Sequence, residues 1–449
     1  MLTRAVPKDD PRTVFGWCMY DWANSAYVTT VAVAILPIYF ADAVVGSTQV
    51  RIAGRAFATE SLWGFAVGVA AFLAFVGAPV LGSIADFSAA RKRFLLAFAY
   101  MGCAAAFMLI GCGPGDVVPT LLLFVAAQVG FVGANVFYDA FLPQIASDAQ
   151  MDRVSSRGYA YGYVGGGLQF LIALLLVRFS DRLGLDRSQA ARAAIGMAAV
   201  WWAGFTLLTA RYLREPGSSP PLPNRYRGWP RPLALAHLGF ARTWATTRRV
   251  GRYRHLALFL LAFMLYDDGI QTVIAMATIY GRKELNLSSD ILLATLLMIQ
   301  AVGGLGAWAF GRAAGWLGTR RTIMLSLVLW SGIVVYACFT RTAAEFMVLG
   351  GVVGMVLGGS QALSRSYYGS MIPGTSAAEF YGFYTVFSKF SSIWGPILFG
   401  FVREATGSSR AAIVSIVVLF VAGLILLGLL DEAKARAARF DSDPPGAEL

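Results

Sequence analysis

Long apolar stretches alternate with short polar segments along the whole chain. A helix of about 20 apolar residues is long enough to cross the hydrocarbon core of a bilayer. Stretches of about that length occupy residues 15–40, 61–81, 94–112, 119–142, 159–179, 193–212, 255–280, 291–310, 322–339, 344–366, 380–401 and 411–430. The pattern predicts an all-α, polytopic membrane protein with twelve transmembrane helices, here called spans 1 to 12.

The polar segments between the spans divide the chain and orient it. The longest one separates six spans from six, so we predict bundles at residues 1–212 and 255–430, a linker at 213–254 and a tail at 431–449. The linker begins with several prolines, and its second part mixes Leu, Phe and Trp with His and Arg. That mixture is typical of a basic amphipathic helix on the membrane surface, although a plain solvated linker fits it too. Most of the 37 Lys and Arg residues fall on the inner side if both termini are cytoplasmic, which predicts that orientation.

Short motifs of the first half recur in the second half in the same order. The matched pairs are YDWANS at Tyr20 with YDDGIQ at Tyr266, GSIADFSAARKR at Gly82 with GRAAGWLGTRR at Gly311, YGY at Tyr161 with YGF at Tyr381, and the pair Tyr138 and Pro143 with Tyr368 and Pro373. Several matches in register indicate a duplicated six-helix unit. Repeated bundles around a midplane site are common among transporters.

Composition narrows the class of protein. Hydrophobic residues make up 57% and charged residues 14% of the chain, whereas a soluble protein carries about 25% charged residues. The net charge of +12 would suit a nucleic-acid partner, but the basic residues lie in short loops between apolar stretches, so we expect no nucleic acid. The 4 Cys and 2 His residues are too few and too scattered for a disulfide scaffold or a His-rich metal site. No GxxxxGK[ST] loop for ATP phosphates is present, and we expect neither a metal nor a cofactor.

Charged and polar side chains inside the predicted spans concentrate on spans 1, 4, 7 and 10. A charged group within a span costs on the order of 3 kcal/mol on insertion scales, so such positions are candidates for a substrate and proton pathway. Spacings of three or four residues place each set on one helix face. The candidates are Asp21, Asn24, Asn135, Asp139, Asp267, Asp268, Gln271, Gln361, Arg365 and, on span 11, Lys389.

Structural alternatives stay open for several of these residues. Asp139 and Arg365 lie near the cytoplasmic ends of their spans and suit a gate salt bridge as well as a substrate contact. Lys389 could instead extend toward the membrane interface. The aromatic candidates, which either wall a ligand site or pack in the core, are Trp22, Tyr27, Tyr138 and Tyr266.

Asp267 and Asp268 are adjacent, so on a helix they point about 100° apart and cannot both face the cavity equally. We expect Asp268 to face the cavity together with Gln271, three residues on, and to carry the proton. Asp267 should then pack against a neighbouring helix.

Several stretches resemble a known family. The loop after span 2, GSIADFSAARKR, resembles the signature loop of the major facilitator superfamily. The stretches that resemble its vacuole-effluxer branch, named for autophagy-related vacuolar amino-acid exporters, are YDWANSAY (Tyr20–Tyr27), NVFYDAFLP (Asn135–Pro143), GYAYGYVGGG (Gly158–Gly167), YDDGIQT (Tyr266–Thr272), GGSQALSRS (Gly358–Ser366) and YGFYTVFSKFSSIWGP (Tyr381–Pro396). The resemblance runs from span 1 to span 12. It implies the major facilitator fold, a central cavity lined by spans 1, 4, 7 and 10, and amino-acid efflux.

The resemblance also implies a gating loop after span 2. The loop residues are Gly82, Asp86, Arg91, Lys92 and Arg93. We expect Asp86 to contact the basic residues of this loop or the N-terminus of span 11. The second copy of the loop has Gly315 where the first has Asp86, so the second bundle lacks that acidic group.

These observations favour a secondary active transporter that moves a small polar solute, amino acids being one candidate class, by alternating access coupled to protons. Buried carboxylates can take up and release protons as access alternates. We expect a monomer in the bacterial inner membrane whose partners are the solute, protons and the lipid bilayer, and which is not an enzyme. The alternatives are a non-transporting membrane sensor or scaffold, and an exporter of drugs or other metabolites.

Overall fold

The computed structural model describes residues 7–52, 55–215, 224–248, 254–391 and 393–439. Within them, 12 segments are long and apolar enough to cross a membrane. Spans 1 to 12 are Pro11–Val45, Thr59–Ser88, Arg91–Gly111, Val117–Ile145, Met151–Arg178, Arg187–Tyr212, Arg254–Arg282, Ser289–Leu317, Thr319–Ala337, Ala343–Met371, Gly374–Thr406 and Ser409–Gly428. The predicted number and order of the spans are confirmed, because each predicted stretch lies within or largely overlaps one of these segments.

Four spans are not uniform α-helices. Span 3 is α-helical over Arg91–Met108 and ends in a 3-10 turn at Leu109–Gly111. Span 1 is α-helical over Pro11–Ala26 and then winds as a π-helix over Tyr27–Ile35, with a second π-helical stretch at Phe40–Val45. Span 11 consists of two α-helices, Ala377–Phe390 and Trp394–Thr406, after a short 3-10 turn. Span 12 is divided into Ser409–Ser415 and Val417–Gly428. A break within a span leaves backbone N–H groups at the start of the next helix without an intrahelical partner. The N–H groups at the break in span 11 bind a candidate site residue, as described below.

The short gap between spans 9 and 10 is a true helix boundary. Thr342 and Glu345 form a capping box, in which the Thr342 side chain accepts from the Glu345 N–H and the Glu345 side chain accepts from the Thr342 N–H. Such a box satisfies free N–H groups at a helix start. The twelve-span count therefore holds at the position where the polar break is shortest.

Elements outside the spans are short. A linker helix covers Arg231–Arg248 and a tail helix covers Glu432–Ala438. Between spans 1 and 2, strands β1 (Gln49–Ile52) and β2 (Arg55–Ala58) pair antiparallel, with Gln49 opposite Ala58. This hairpin was not predicted, because four residues a strand are too few for a periodic signal.

The two halves pack in matching ways. Span 1 lies against spans 5 and 6, as span 7 lies against spans 11 and 12, and span 4 packs on spans 2 and 3 as span 10 packs on spans 8 and 9. Between the halves, span 2 packs on span 11 and span 5 on span 8. The packing agrees with the duplication inferred from the motifs.

Glycines at intervals of four residues let span 10 approach span 8 closely. A Cβ on Gly358 would overlap the backbone of Gly303, and a Cβ on Gly354 would meet the backbone of Ile299. Small residues at such positions allow the close backbone packing typical of membrane helices.

One side of the molecule holds the first and last described residues, 7 and 439, and the linker helix, and we call it the terminal side. The linker helix packs there on span 2: the Thr243 hydroxyl donates to the Pro79 carbonyl at 3.3 Å, and Ala234 and Leu238 are buried. Its opposite face exposes Leu233, Phe240 and Trp244. The helix lies within the segment for which we predict a basic amphipathic helix, and its placement on the membrane surface stays a prediction. The prolines at 216, 220, 221 and 223, on which the prediction of an extended linker depends, lie outside the described residues.

The glycine packing generates a first prediction. Gly358→Ala should destabilise the protein by about 1–3 kcal/mol, because the added methyl group forces spans 8 and 10 apart. Gly351→Ala, on the same helix, is the matched control: its Cβ would meet only the Met298 side chain, at 3.8 Å and beyond. Thermal unfolding in detergent should show a lower melting temperature for the first variant alone. Equal melting temperatures would contradict the packing argument.

Candidate functional site

A cavity of about 490 Å³ lies between the two halves. Its floor, nearest the terminal side, is polar, and its wall toward the opposite side is mostly apolar. The polar lining residues include Asp21, Asn24, Asn135, Asp139, Gln271, Gln361 and Arg365. The apolar ones include Ile274, Met276, Leu296, Ile299, Val353 and Ile413. Spans 1, 4, 7 and 10 contribute these polar residues, and spans 5 and 8 add Tyr159, Tyr163, Thr295 and Gln300.

Arg365 of span 10 is the centre of the floor. Its Nη1 donates to Asp21 at 3.3 Å and to Asp139 at 3.2 Å, both on the first half. Its Nε donates to the Ser155 hydroxyl at 3.0 Å and its Nη2 to the Ser155 carbonyl at 2.9 Å. Only 2% of Arg365 is exposed. One buried cation of the second half is therefore held by three residues of the first.

Aromatic rings enclose the same guanidinium. Its carbon lies 4.1 Å from the ring centre of Tyr159, 4.7 Å from that of Trp17 and 5.3 Å from that of Tyr138. The Tyr138 hydroxyl also donates to Asp21 at 2.7 Å. Ring faces stabilise a desolvated cation, so the aromatic enclosure offsets part of the cost of burying it. Trp17, Tyr159 and Ser155 were not predicted, although Trp17 precedes Asp21 by one helical turn.

Neutral polar pairs lie around this centre. The Asn24 amide donates to Asn135 at 2.7 Å within the first half. Across the halves, the Tyr163 hydroxyl donates to Gln361 at 2.9 Å and the Gln300 amide to Thr29 at 2.5 Å. Asn24, Asn135 and Gln361 leave the cavity floor rich in donors and acceptors, whereas Thr29 and Gln300 lie farther from it.

A smaller cavity of about 160 Å³ adjoins the first between spans 4, 7, 10 and 11. Asp267, Lys389, Tyr266 and Asp139 line it. Asp267 accepts hydrogen bonds from Ser391 at 2.7 Å, Ser388 at 3.2 Å and Gln271 at 3.4 Å. We call this smaller cavity the side cavity.

The expectation for the span 7 carboxylates is wrong. Asp267 lines the side cavity, whereas Asp268 is fully buried and is absent from the described lining of both cavities. Asp268 accepts from the Gly395 N–H at 2.8 Å, at the start of the helix Trp394–Thr406. The break in span 11 frees N–H groups at that helix start, and a carboxylate that caps them is stabilised by the helix dipole. The spacing of residues within span 7 gives no information about a break in span 11, so the sequence could not predict this contact of Asp268.

Two of the four aromatic candidates do not reach a cavity. Trp22 stacks on Trp201 of span 6, with ring centres 5.9 Å apart. Tyr27 is fully buried, and its hydroxyl donates to Gln128 at 3.2 Å within the first half. Both pack the first bundle, while Tyr138 and Tyr266 line the cavities. The spacing of polar and aromatic residues in span 1 did not show which helix face borders the cavity and which face packs against the rest of the first bundle.

Asp86 makes both contacts expected of it. It forms an ion pair with Arg91, and it accepts from the backbone N–H groups of Ala378 at 3.1 Å and Glu379 at 2.9 Å, at the start of span 11. Gly82 is required beside it, because a Cβ there would overlap the Ala378 backbone. The carboxylate joins span 2 to span 11 through charge-assisted hydrogen bonds.

The three basic loop residues have different surroundings. Arg91 also donates to the Thr375 carbonyl at 2.9 Å, across the halves. Lys92 donates to the Leu213 carbonyl at 2.6 Å. Glu215 accepts from the Arg91 N–H at 2.7 Å, and burial raises the pKa of this glutamate. Arg93 is exposed, and its guanidinium makes no hydrogen bond or ion pair with any residue that the structure describes.

The contact between spans 5 and 8, which we call the second seam, corresponds to the contact between spans 2 and 11. It has no acidic residue at the span 8 position that corresponds to Asp86. The structure leaves open space beside Gly315. Asp152, at the start of span 5, instead accepts from the Ser366 hydroxyl at 2.5 Å and the Thr319 hydroxyl at 2.6 Å. The second seam therefore has an unpredicted polar contact between a carboxylate and two hydroxyl groups.

The end of the tail helix adds a contact across the halves. Arg439 donates to both carboxylate oxygens of Asp148, at 2.6 and 3.2 Å. This hydrogen-bonded guanidinium holds the pKa of Asp148 below its usual range. Such a carboxylate stays ionised as the pH falls until its lowered pKa is reached, so the contact persists throughout the neutral range.

The charged contacts between the halves lie at the cavity floor or on its terminal side. They involve Arg365, Asp86, Asp152 and Arg439, whereas the described side-chain hydrogen bonds that join the halves farther out pair neutral groups, such as Thr29 with Gln300. The molecule is therefore closed on the terminal side of the cavity. Within the described part of the chain, no group of three or more His, Cys, Asp or Glu side chains is arranged to hold a metal ion.

Comparisons with known proteins agree with this architecture. A family model described as "Vacuole effluxer Atg22 like" matches residues 9–439. The Bacillus subtilis (strain 168) protein named "Uncharacterized MFS-type transporter YxiO" is 34% identical over 418 residues, which are 93% of this chain and 94% of that protein. "Autophagy-related protein 22-1" of Phaeosphaeria nodorum is 26% identical over 461 residues, covering 88% of this chain and 80% of that protein.

Solved structures show the same fold at low sequence identity. The human organic anion transporter MFSD10 (TETRAN) has a TM-score of 0.67 and 14% identity, covering 94% of this chain and all of that one (100%). The major facilitator superfamily transporter FucP, in its outward conformation, has a TM-score of 0.66 and 13% identity, covering 94% of this chain and 99% of that one. Identities this low show the fold alone.

The Asp86 contacts generate the second prediction. Asp86→Asn should weaken the seam between spans 2 and 11, because the ion pair and the charge-assisted bonds to the helix start are lost. The reporter is Ser83→Cys, at a seam position with 0% exposure. A thiol reagent should label this cysteine several-fold faster in the Asp86→Asn background. Asp290→Asn, an exposed carboxylate at the start of span 8, should leave the rate unchanged.

An unchanged labelling rate in folded Asp86→Asn protein would remove Asp86 from the closure of the terminal side. The parent chain without Ser83→Cys corrects for labelling of the four native cysteines, three of which are buried.

Proposed function

Because the chain belongs to the family of Atg22-like vacuole effluxers, we propose that it is a secondary active transporter that moves a small zwitterionic solute in a proton-coupled cycle, with amino acids as the leading candidates. The similarity to transporter relatives and to solved structures of the major facilitator fold shows that the protein is a multi-pass membrane transporter. The solute, the proton coupling and the residues that carry them are proposals.

One observation carries the coupling proposal: the guanidinium of Arg365 joins the two halves through Asp21 and Asp139. Charges attract strongly where water is excluded, so this pair of contacts holds the terminal side closed. A proton on either carboxylate removes one negative charge and weakens the bond between the halves. Proton binding from the cavity therefore favours opening on the terminal side, and proton loss favours closure.

The coupling role assigned to Asp268 from the sequence moves to this network. The partners of Asp268 and Asp267 belong to the second half, as Gly395, Ser388 and Ser391 do. Protonation of either span 7 carboxylate therefore does not change a contact between the halves. Asp139 is the better carrier, because it lines both cavities and contacts Arg365 directly.

The form of the cavity supports a small solute with both charges. The floor offers carboxylates and cations, and neutral amides surround them. The wall above it is apolar, which favours a solute with a polar end and an apolar body. The volume of about 490 Å³ lies in the range of small-molecule sites, roughly 300–1,000 Å³.

The similarity to the Bacillus subtilis protein supports transport across a bacterial plasma membrane. The terminal side carries the linker helix and the basic gating loop, and cytoplasmic loops are rich in Lys and Arg. We place the terminal side in the cytoplasm, which leaves the cavity facing outward. A monomer suffices, because both halves of the cavity come from one chain.

A third prediction tests the coupling. Asp139→Asn keeps the size and the hydrogen-bonding capacity of the side chain but cannot be ionised. In proteoliposomes this variant should lose pH-gradient-driven accumulation of radiolabelled amino acids by at least about tenfold, which corresponds to about 1.4 kcal/mol. Exchange down a concentration gradient should remain, because the cavity is intact.

Asp267→Asn is the matched control, since it removes a carboxylate that has no partner in the first half, and it should still respond to the gradient. Full gradient-driven accumulation by Asp139→Asn would contradict the proposed carrier and point to Asp21. If the unchanged protein moves no amino acid under either condition, the proposed solute class is wrong.

A further inference from the structure

Arg365 and Lys389, the two basic side chains that line the cavities in the described part of the chain, differ in how many hydrogen-bond and ion-pair partners they have. Arg365 donates to two carboxylates and to both oxygens of Ser155, and three rings enclose it. Lys389 lines the side cavity, and its ammonium group makes no hydrogen bond or ion pair to any residue that the structure describes. For an anion in the cavity, the guanidinium of Arg365 is therefore already paired, whereas the ammonium group of Lys389 is available for binding.

The groups near Lys389 do not neutralise it. Asp267 lines the same cavity as Lys389 but forms no ion pair with it. Its carboxylate accepts hydrogen bonds from Ser388, Ser391 and Gln271. Asp267 is thus satisfied by neutral donors, and the ammonium group remains free to bind another acceptor.

The side cavity is placed for a solute to reach Lys389. It shares Asn135, Asp139 and Gln361 with the central cavity, so a molecule on the floor can extend into it. A volume of about 160 Å³ accommodates a carboxylate and the adjoining carbon atoms, and the many polar side chains that line it suit a charged group better than an apolar one. The apolar part of the solute then stays in the central cavity, against its apolar wall.

We propose that Lys389 binds the anionic group of the transported solute, a carboxylate, in the side cavity, while Arg365 stays within its own network. This inference rests on the proposed function. An ammonium–carboxylate contact in a water-poor cavity is a strong, charge-assisted hydrogen bond. Lys389 is a specificity-determining residue: it selects solutes that carry an acid over matched solutes that do not.

The alternation of access favours this division of roles. The Arg365 contacts span both halves, so they change whenever the terminal side opens. Lys389 and the span 7 residues beside it belong to the second half alone. A carboxylate held by Lys389 can therefore stay bound while the Arg365 contacts break and re-form.

The test compares two probes that differ only in the acid, L-leucine and L-leucinamide. Affinities for the full-length purified protein are measured by calorimetry below about pH 7, where both probes carry an ammonium group. The unchanged protein should bind leucine at least about tenfold more tightly than leucinamide. Lys389→Gln should abolish that preference by weakening leucine binding, with leucinamide affinity unchanged. Lys389→Arg, which keeps the charge, should retain the preference.

Three results would overturn the inference. A preference for leucine that survives in Lys389→Gln would exclude Lys389 as the anion site and leave the proposed function untouched. Equal losses for both probes would show that the side chain only maintains the structure. Binding of neither probe by the unchanged protein would reject amino acids as the solute class, and the inference with them.

Discussion

The structure depends on one buried cation shared between its two halves. Arg365 has 2% of its surface exposed and donates to Asp21 and Asp139 across the cavity floor. Removing one partner of a buried ion pair costs about 3–5 kcal/mol, because the other charge is left without compensation. The arrangement is therefore stable only while the halves meet at this point, and it makes their separation sensitive to the charge of two carboxylates.

The closure of the terminal side extends outward from that centre through contacts of different chemistry. Asp86 joins span 2 to span 11 through two helix-start N–H groups, and its ion-pair partner Arg91 donates to the Thr375 carbonyl. Asp152 joins span 5 to spans 9 and 10 through two hydroxyls. The duplicated fold places the two seams at matching positions, but Gly315 removes the acidic group from one of them. Sequence divergence between the repeats has made the closure asymmetric without changing the packing of the helices.

The spans could be predicted from the sequence because hydrophobic length is a property of each segment alone. The polar faces of spans 1, 4, 7 and 10 could be predicted for a similar reason, since helical spacing brings Asp21 and Asn24, or Asn135 and Asp139, to one face. What could not be predicted depends on a partner elsewhere in the chain. Asp268 turns away from the cavity because span 11 breaks beside it, and Trp22 packs inward because Trp201 lies opposite. Asp152 and Tyr159 gain their contacts only once span 5 meets the second half.

The central claim is that Arg365 and its two carboxylates hold the terminal side closed. Spin labels at Ala149→Cys and Arg321→Cys, one exposed position on each half of that side, report its width by double electron–electron resonance. At neutral pH the otherwise unchanged protein should give a short distance, Arg365→Lys should largely keep it, and Arg365→Gln should shift most molecules to a longer distance. The same short distance in folded Arg365→Gln protein would contradict the account.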